Sequence, residues 1–192
     1  MDKLLQLYPN VTTFGIPSSS EIGANVSLPL PYGAAHRQAA AYVGDVKFIA
    51  GTRLTCERWA AMNISAHCYR FNTRPAGFSN FAGVKHFSDL AFIFNNLNGD
   101  GYKPSPFEDK PQSYTQLSNL MTGSWISFVN KQDPNAWTGT GRNATRSDWP
   151  QYSTEDPHSL IFDANVTTYS APDTWRSEGI ALINANQLNY QR

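Results

Sequence analysis

The chain has 192 residues, enough for one sizeable core, and its 41% hydrophobic and 16% charged residues describe a globular protein rather than a disordered one. Fifteen basic residues balance fifteen acidic ones with no long basic run, which argues against an electrostatic reader of nucleic acid. No stretch approaches the ~18 apolar residues that a membrane-spanning helix requires.

In chain order, Lys3 to Leu7 predicts a short helix. A Pro/Ser/Gly-rich loop with Pro9, Pro17, Pro29 and Pro31 follows, and so long a loop is unusual inside a compact domain unless the chain enters from elsewhere. The Ala-rich segment from Tyr32 to about Val43 has high helix propensity. Gly44-Asp45 is expected to break it, with Asp45 capping a new helix. In that helix Phe48, Ile49, Cys56, Trp59 and Ala60 fall within about 120° of arc, so this face is expected to pack on a core. Lys47, Glu57 and Arg58 lie opposite.

"AHCYRFN" at 66–72 is short and rich in aromatic residues, which suits a strand that Arg74-Pro75-Ala76-Gly77 ends. Helix followed by a buried strand favours an α/β architecture over a β-sandwich. After "FAGVKHFSDLAFIF" at 81–94 comes a loop over 95–113. Ser113-x-x-Gln116 is a capping-box pattern that opens a helix carrying Leu117, Leu120, Met121, Trp125 and Phe128 on one face. Asp133-Pro134 closes it. A polar stretch runs to Trp149-Pro150, then a strand at "SLIFDA", 159–164, and a final helix from about Pro172 to Leu188. No internal repeat or linker divides the chain, so it reads as one unit.

The usual chemical signatures are absent: no Gly-rich phosphate loop, no Cys-x-x-Cys, no His-Glu-x-x-His and no calcium loop. His36, His67, His86 and His158 are scattered, so no metal site is expected. A nucleophile elbow needs Gly-x-Ser-x-Gly, and the nearest string, "GFSNF" at 77–81, ends in Phe81 and opens no helical pattern. What remains is His86, in a loop after a strand, beyond Gly83 and ahead of the apolar run Leu90 to Phe94. An imidazole exchanges protons near neutral pH and is suited to be a general base there. A loop histidine is nevertheless more often a bystander than a base, and spacing alone does not assign it.

Two features suit the secretory pathway. Five Asn-x-Ser/Thr sequons stand at Asn10, Asn25, Asn63, Asn143 and Asn165. Cys56 and Cys68 form an even pair that suits one local disulfide, and equally suits two unpaired core thiols. The N-terminus MDKLLQLYPN has neither an apolar core nor a cleavage site and is no signal peptide.

Several spaced strings together resemble the C-terminal part of the type-B carboxylesterases, the group holding fungal lipases and cholinesterases. They are "LLQLYP", "YGAAHRQAAAYVGD", "YRFN", "GVKHFSDLAFIF", "SWISFVNKQDPN", "WPQY" and the closing "IFD", and they read closest to secreted fungal members. The resemblance implies an α/β-hydrolase fold over residues 1–192, here an incomplete central sheet flanked by helices. It implies hydrolysis of carboxylic esters by a Ser-His-Glu (or Asp) triad, with a small-molecule or lipid ester as substrate and no cofactor. His86 matches the triad histidine, which takes the serine proton and returns it to the leaving alcohol. Asp89 matches a supporting acidic position outside the triad, with Phe92 and Phe94 expected to back the histidine loop.

In the family the nucleophile elbow, the oxyanion loop and the triad acid lie upstream of the "LYP" landmark. The resemblance therefore implies a C-terminal segment, most simply a truncated gene model, whose full-length parent is secreted and which is inactive alone. The alternative is a non-catalytic binding or adhesion protein on the same fold. Retention of His86 favours an enzymatic parent.

Overall fold

A computed structural model describes residues 2–9, 35–79, 82–139 and 147–190. The proline-rich loop, Phe81 and the sequons at Asn10, Asn25 and Asn143 lie outside them. Helix α1 is Asp2–Leu7. Helix α2, His36–Gly44, runs through a π-helical turn, Asp45–Ile49, into α3, Ala50–Ala61. Strand β1 is Tyr69–Phe71 and the short helix α4 is Leu90–Ile93. The long helix α5, Gln112–Lys131, precedes β2, His158–Phe162, and β3, Tyr169–Pro172. Helix α6, Ser177–Ala185, and a 3-10 turn, Gln187–Tyr190, close the chain.

The sheet has the order β1-β2-β3. Strand β2 runs parallel to β1, with Arg70 opposite Ile161, and antiparallel to β3, with Leu160 opposite Ser170. "SLIF" in β2 is buried on both faces, which is why it reads as an unbroken apolar run. Helix α5 covers one face. Its Leu117, Leu120 and Met121 join Phe92, Trp149, Leu160 and Phe162 in the main core. Small buried serines on the same helix allow close approach and still find partners: the Ser118 hydroxyl donates to the Phe92 carbonyl (3.0 Å) and the Ser127 hydroxyl to the Asp133 carbonyl (2.7 Å). A second cluster of Tyr8, Ala41, Ala50, Ile180 and Ile183 joins α1, α2, α3 and α6. At Gly179 a β-carbon would stand 2.7 Å from the Tyr8 hydroxyl, so α6 meets α1 at a distance only glycine permits.

Four sequence expectations need correction. Gly44-Asp45 does not break the helix. Gly44 keeps right-handed dihedrals (φ −60°, ψ −44°), and Asp45 is no cap but a fully buried side chain at 0% exposure. Its carboxylate accepts from Arg176 Nε at 2.7 Å, Arg176 Nη2 at 2.5 Å and the Tyr8 hydroxyl at 2.8 Å. The buried face of α3 is also displaced: Ala50, Arg53 and Cys56 point inward, whereas Phe48 and Trp59 are exposed. The predicted apolar arc misses this because its inner face carries an arginine, satisfied by Asp173. Third, Ser113 does not cap α5, which begins at Gln112 behind Pro111 with no side-chain cap. Finally, Pro172 ends a third strand instead of starting a helix, and α6 begins only at Ser177, after Arg176 adopts φ 43°.

Two consequences are measurable. Arg176 is only 5% exposed and Asp45 wholly buried, so removing one partner strands the other's charge. Asp45→Asn is expected to cost about 3–5 kcal/mol in chemical denaturation, and Asp45→Leu combined with Arg176→Met markedly less than Arg176→Met alone. The second concerns His67, whose pKa is lowered by burial against the opposing pull of the hydrogen bonds that its ring makes to the backbone of Pro150 and Trp149. The unfolded chain takes up this proton near pH 6.5 and the folded chain only below that. Between those values the unfolded state binds more protons, so stability falls as pH drops below about 6.5. His67→Gln should flatten the fall, read as denaturation midpoints from pH 7 to 5.

Candidate functional site

Strand β1 leads, through Asn72 to Gly83, into the turn that carries His86. The backbone N–H of Ser88 donates to the Lys85 carbonyl (3.1 Å), and the Lys85 N–H donates to the buried Ser88 hydroxyl (2.9 Å). This reciprocal clamp closes residues 85–88 and leaves His86 and Phe87 at its tip. Phe87 sits in the left-handed region (φ 68°), a conformation that costs a non-glycine residue of order 1 kcal/mol or more. Strain of this kind at a turn tip, held by a buried clamp, fixes where the neighbouring imidazole points.

The His86 ring is exposed and lies between two aromatic rings. It stacks on Phe48 from the π-helical turn, with centroids 4.4 Å apart and planes 23° from parallel. Phe87 lies 3.9 Å away and tilted. Among the described residues no carboxylate or hydroxyl bonds to the ring, so its polar edge is free to exchange a proton with a group brought to it.

Asp89 closes the turn. Its carboxylate accepts the Tyr69 hydroxyl at 2.8 Å, tying the start of α4 back to β1. Burial raises the Tyr69 pKa well above the usual phenol value, and the Asp89 charge and hydrogen bond add to this, so the hydroxyl stays a donor. Helix α4 is held from its other end, where Thr122 donates to the carbonyls of Phe92 (3.0 Å) and Ile93 (2.9 Å).

Phe92 is fully buried against Phe71 and Phe107 and forms the floor of this segment. Phe94, expected beside it, is instead 76% exposed and faces Asn95 to Asp100. It follows the end of α4, and the helical turn there rotates it away. Cys56 and Cys68 are joined in a disulfide that links α3 to the residue before β1. Of the described sequons, Asn63 is exposed at the end of α3, with φ 58°. Asn165 is exposed, but its amide donates to Asp163 and its carbonyl accepts from Tyr114.

Sequence reasoning missed Phe48, Ser88 and Tyr69 as partners of this loop. Phe48 was assigned to the core, because its apolar character carries no sign that it faces a histidine 38 positions on. Nothing in the string marks the Tyr69–Asp89 bond. Among the described residues no three His, Cys, Asp or Glu side chains converge as metal ligands, and no helix is long and apolar enough to cross a membrane.

Similarity to known proteins bears on the fold and the family. The chain is 25% identical over 130 residues to acetylcholinesterase-1 of Trittame loki, and 28% identical over 107 residues to para-nitrobenzyl esterase of Bacillus subtilis. These alignments take in 64% and 55% of the chain but only 20% and 19% of the relatives, so the chain spans about a fifth of their length. Among solved structures, EstA of Aspergillus niger superposes on all of the chain with TM-score 0.73 at 19% identity, using 33% of its own length. The carboxylesterase EST55 of Geobacillus stearothermophilus matches 94% of the chain with TM-score 0.62 at 20% identity, again over 33% of its own length. The fold is thus that of the α/β-hydrolase carboxylesterases, of which the three strands and their helices form a part. The model of the carboxylesterase family matches residues 31–178, most of the chain, and the chain belongs to that family.

Proposed function

We propose that this chain is the C-terminal part of a carboxylic ester hydrolase domain, and that His86 is its general base and acid. The observation that carries this reading is the presentation of His86. An imidazole stands exposed at the tip of a clamped, strained turn after strand β1, with one face covered by Phe48 and its polar edge open. A bystander histidine has no need of such a mounting. In ester hydrolysis the imidazole takes the proton of a serine hydroxyl as its oxygen attacks the ester carbon, and then hands that proton to the departing alcohol oxygen. Stacking on Phe48 and contact with the tilted Phe87 ring restrict the ring's rotation, which places that proton transfer.

In this reading Phe48 is both the ring's support and an apolar wall beside the reacting ester, suited to an acyl chain. Asp89 acts on His86 only through the turn, because its carboxylate is engaged by Tyr69. The serine, the oxyanion donors and the triad acid would come from a part of the enzyme outside these residues. Small-molecule or lipid esters are the substrate class, and the exposed Asn63 sequon supports a secreted, glycosylated parent.

The isolated 192-residue chain is expected to give no saturable hydrolysis of p-nitrophenyl butyrate, because triad members and oxyanion hole act as one unit. Saturable turnover abolished by His86→Ala would overturn the division of labour. In the source organism, an antibody to this chain should detect a deglycosylated protein well above 21.3 kDa. In that protein His86→Ala is expected to lower kcat by roughly 10³-fold or more with little change in KM. Retention of activity would remove His86 from the mechanism.

A further inference from the structure

On the face of the sheet opposite α5, between α3 and the strands, lies a cleft of about 340 Å³, the size of small-molecule sites. Phe48, Ile49, Ile161 and Trp175 form its apolar walls, and Arg53 and Arg70 stand in its lining. The charges around it do not balance. Arg176 is taken by Asp45, as described. Arg53 is 6% exposed and taken by Asp173, which accepts Nε at 2.9 Å and Nη2 at 2.6 Å. Arg70 is left over: half-buried, its guanidinium lying over Trp175 at 4.9 Å, it meets no carboxylate among the described residues.

A guanidinium keeps its charge at any ordinary pH, so Arg70 cannot relieve this by losing a proton. Its Nε is buried with no hydrogen-bond partner, as is one nitrogen of each of the other two, Arg53 Nη1 and Arg176 Nη1, but of the three Arg70 alone also lacks a carboxylate among the described residues. Unpaired buried N–H groups of charged side chains are costly and call for an acceptor. Glu57 does not supply one to Arg70. It faces Arg53 and Asp173 from the outer side of α3, and burial raises its pKa, which weakens its claim as a counter-charge.

We propose that this cleft binds a small apolar carboxylate, its head on the Arg70 guanidinium and its hydrocarbon body between Phe48, Ile161 and Trp175. One uncompensated positive charge matches one negative charge, and a guanidinium fork matches the two carboxylate oxygens. A phosphate dianion would bring a second charge into largely apolar walls. Two covalent or ionic anchors, Arg53–Asp173 and Cys56–Cys68, hold the cleft's sides at a fixed spacing, so binding needs little rearrangement. The site adjoins the one proposed for ester hydrolysis at His86, and its charge argument stands whether or not that reading holds. The two touch through Phe48, whose ring lines the cleft and also stacks on His86.

The test is calorimetric titration of the full chain with benzoate, its neutral isostere benzamide, and N-acetylglutamate amide. Saturable one-to-one benzoate binding is expected, at least ten-fold tighter than either other probe. Arg70→Gln should weaken it ten-fold or more while leaving the far-UV circular dichroism and the denaturation midpoint in place. Benzamide binding as tightly as benzoate, indifference to Arg70→Gln, or no saturable binding overturns the proposal. Preference for the blocked glutamate also overturns it, and assigns Arg70 to a carboxylate side chain of another polypeptide segment.

Discussion

The carboxylate of Asp45 is the point on which the helical half of the molecule turns. It is buried in the middle of a continuous run from His36 to Ala61, where propensity disfavours it, and it accepts three hydrogen bonds from two other elements. Burial first, then the Asp45 hydrogen bond and charge, raises the pKa of Tyr8, so its hydroxyl remains a donor to Asp45. Arg176 reaches in from the start of α6, and the left-handed backbone there (φ 43°) is the strain that this reach entails. A single anion thus fixes α1, the α2–α3 run and α6 to one another, and the clusters of Tyr8, Ala50 and Ile180 pack around it.

The same constraint extends to the site. Asp45 and Phe48 belong to one π-helical turn, so the anchoring of the carboxylate inward sets the Phe48 ring outward, where it meets His86. Such turns are frequent at functional positions because they re-aim one residue without ending the helix. From the other side, β1 places Tyr69, which holds Asp89, and the Ser88 clamp closes the loop between them. His86 is therefore located by two independent parts of the fold. Loosening either one should misplace the imidazole even if the core survives, and in the proposed role of His86 a displacement of about 1 Å is enough to cost ~100-fold in rate.

What the sequence made legible follows from where apolar periodicity tells the truth. The β2 run and the Leu117, Leu120, Met121 stripe of α5 were readable, because both elements bury hydrocarbon against hydrocarbon. Periodicity failed on α3, where Arg53 and Asp45 point inward and Phe48 and Trp59 outward, since a charge is assigned to water unless its partner is known. Those partners, Asp173 and Arg176, lie 120 and 131 positions away. Strand β3 was missed for a related reason: "YSAP" is half-exposed and pairs on one side only, so no alternation announces it. At the proposed site, only the family resemblance pointed to His86, whereas Phe48, Ser88 and Tyr69, which hold its turn, are ordinary residues whose contacts arise only on folding.

The two ion pairs and the disulfide also explain why the charge left over at Arg70 matters. Along the run from the π-helical turn into α3, Asp45, Arg53 and Cys56 each bind a different element, and each of these links is directional and joins residues that pair with one another. Arg70 sits on β1, an edge strand of the sheet, in the middle of that network but without a carboxylate of its own among the described residues. Buried polar networks stabilise when complete and destabilise when one member is unsatisfied. A fold that pairs Arg53 and Arg176 with carboxylates has the means to pair a third arginine, and in the proposed reading its open cleft leaves that position to an anion from outside. Occupancy of the cleft would then press on Phe48, which supports the His86 ring. The unsatisfied charge and the imidazole are mechanically joined through one aromatic side chain.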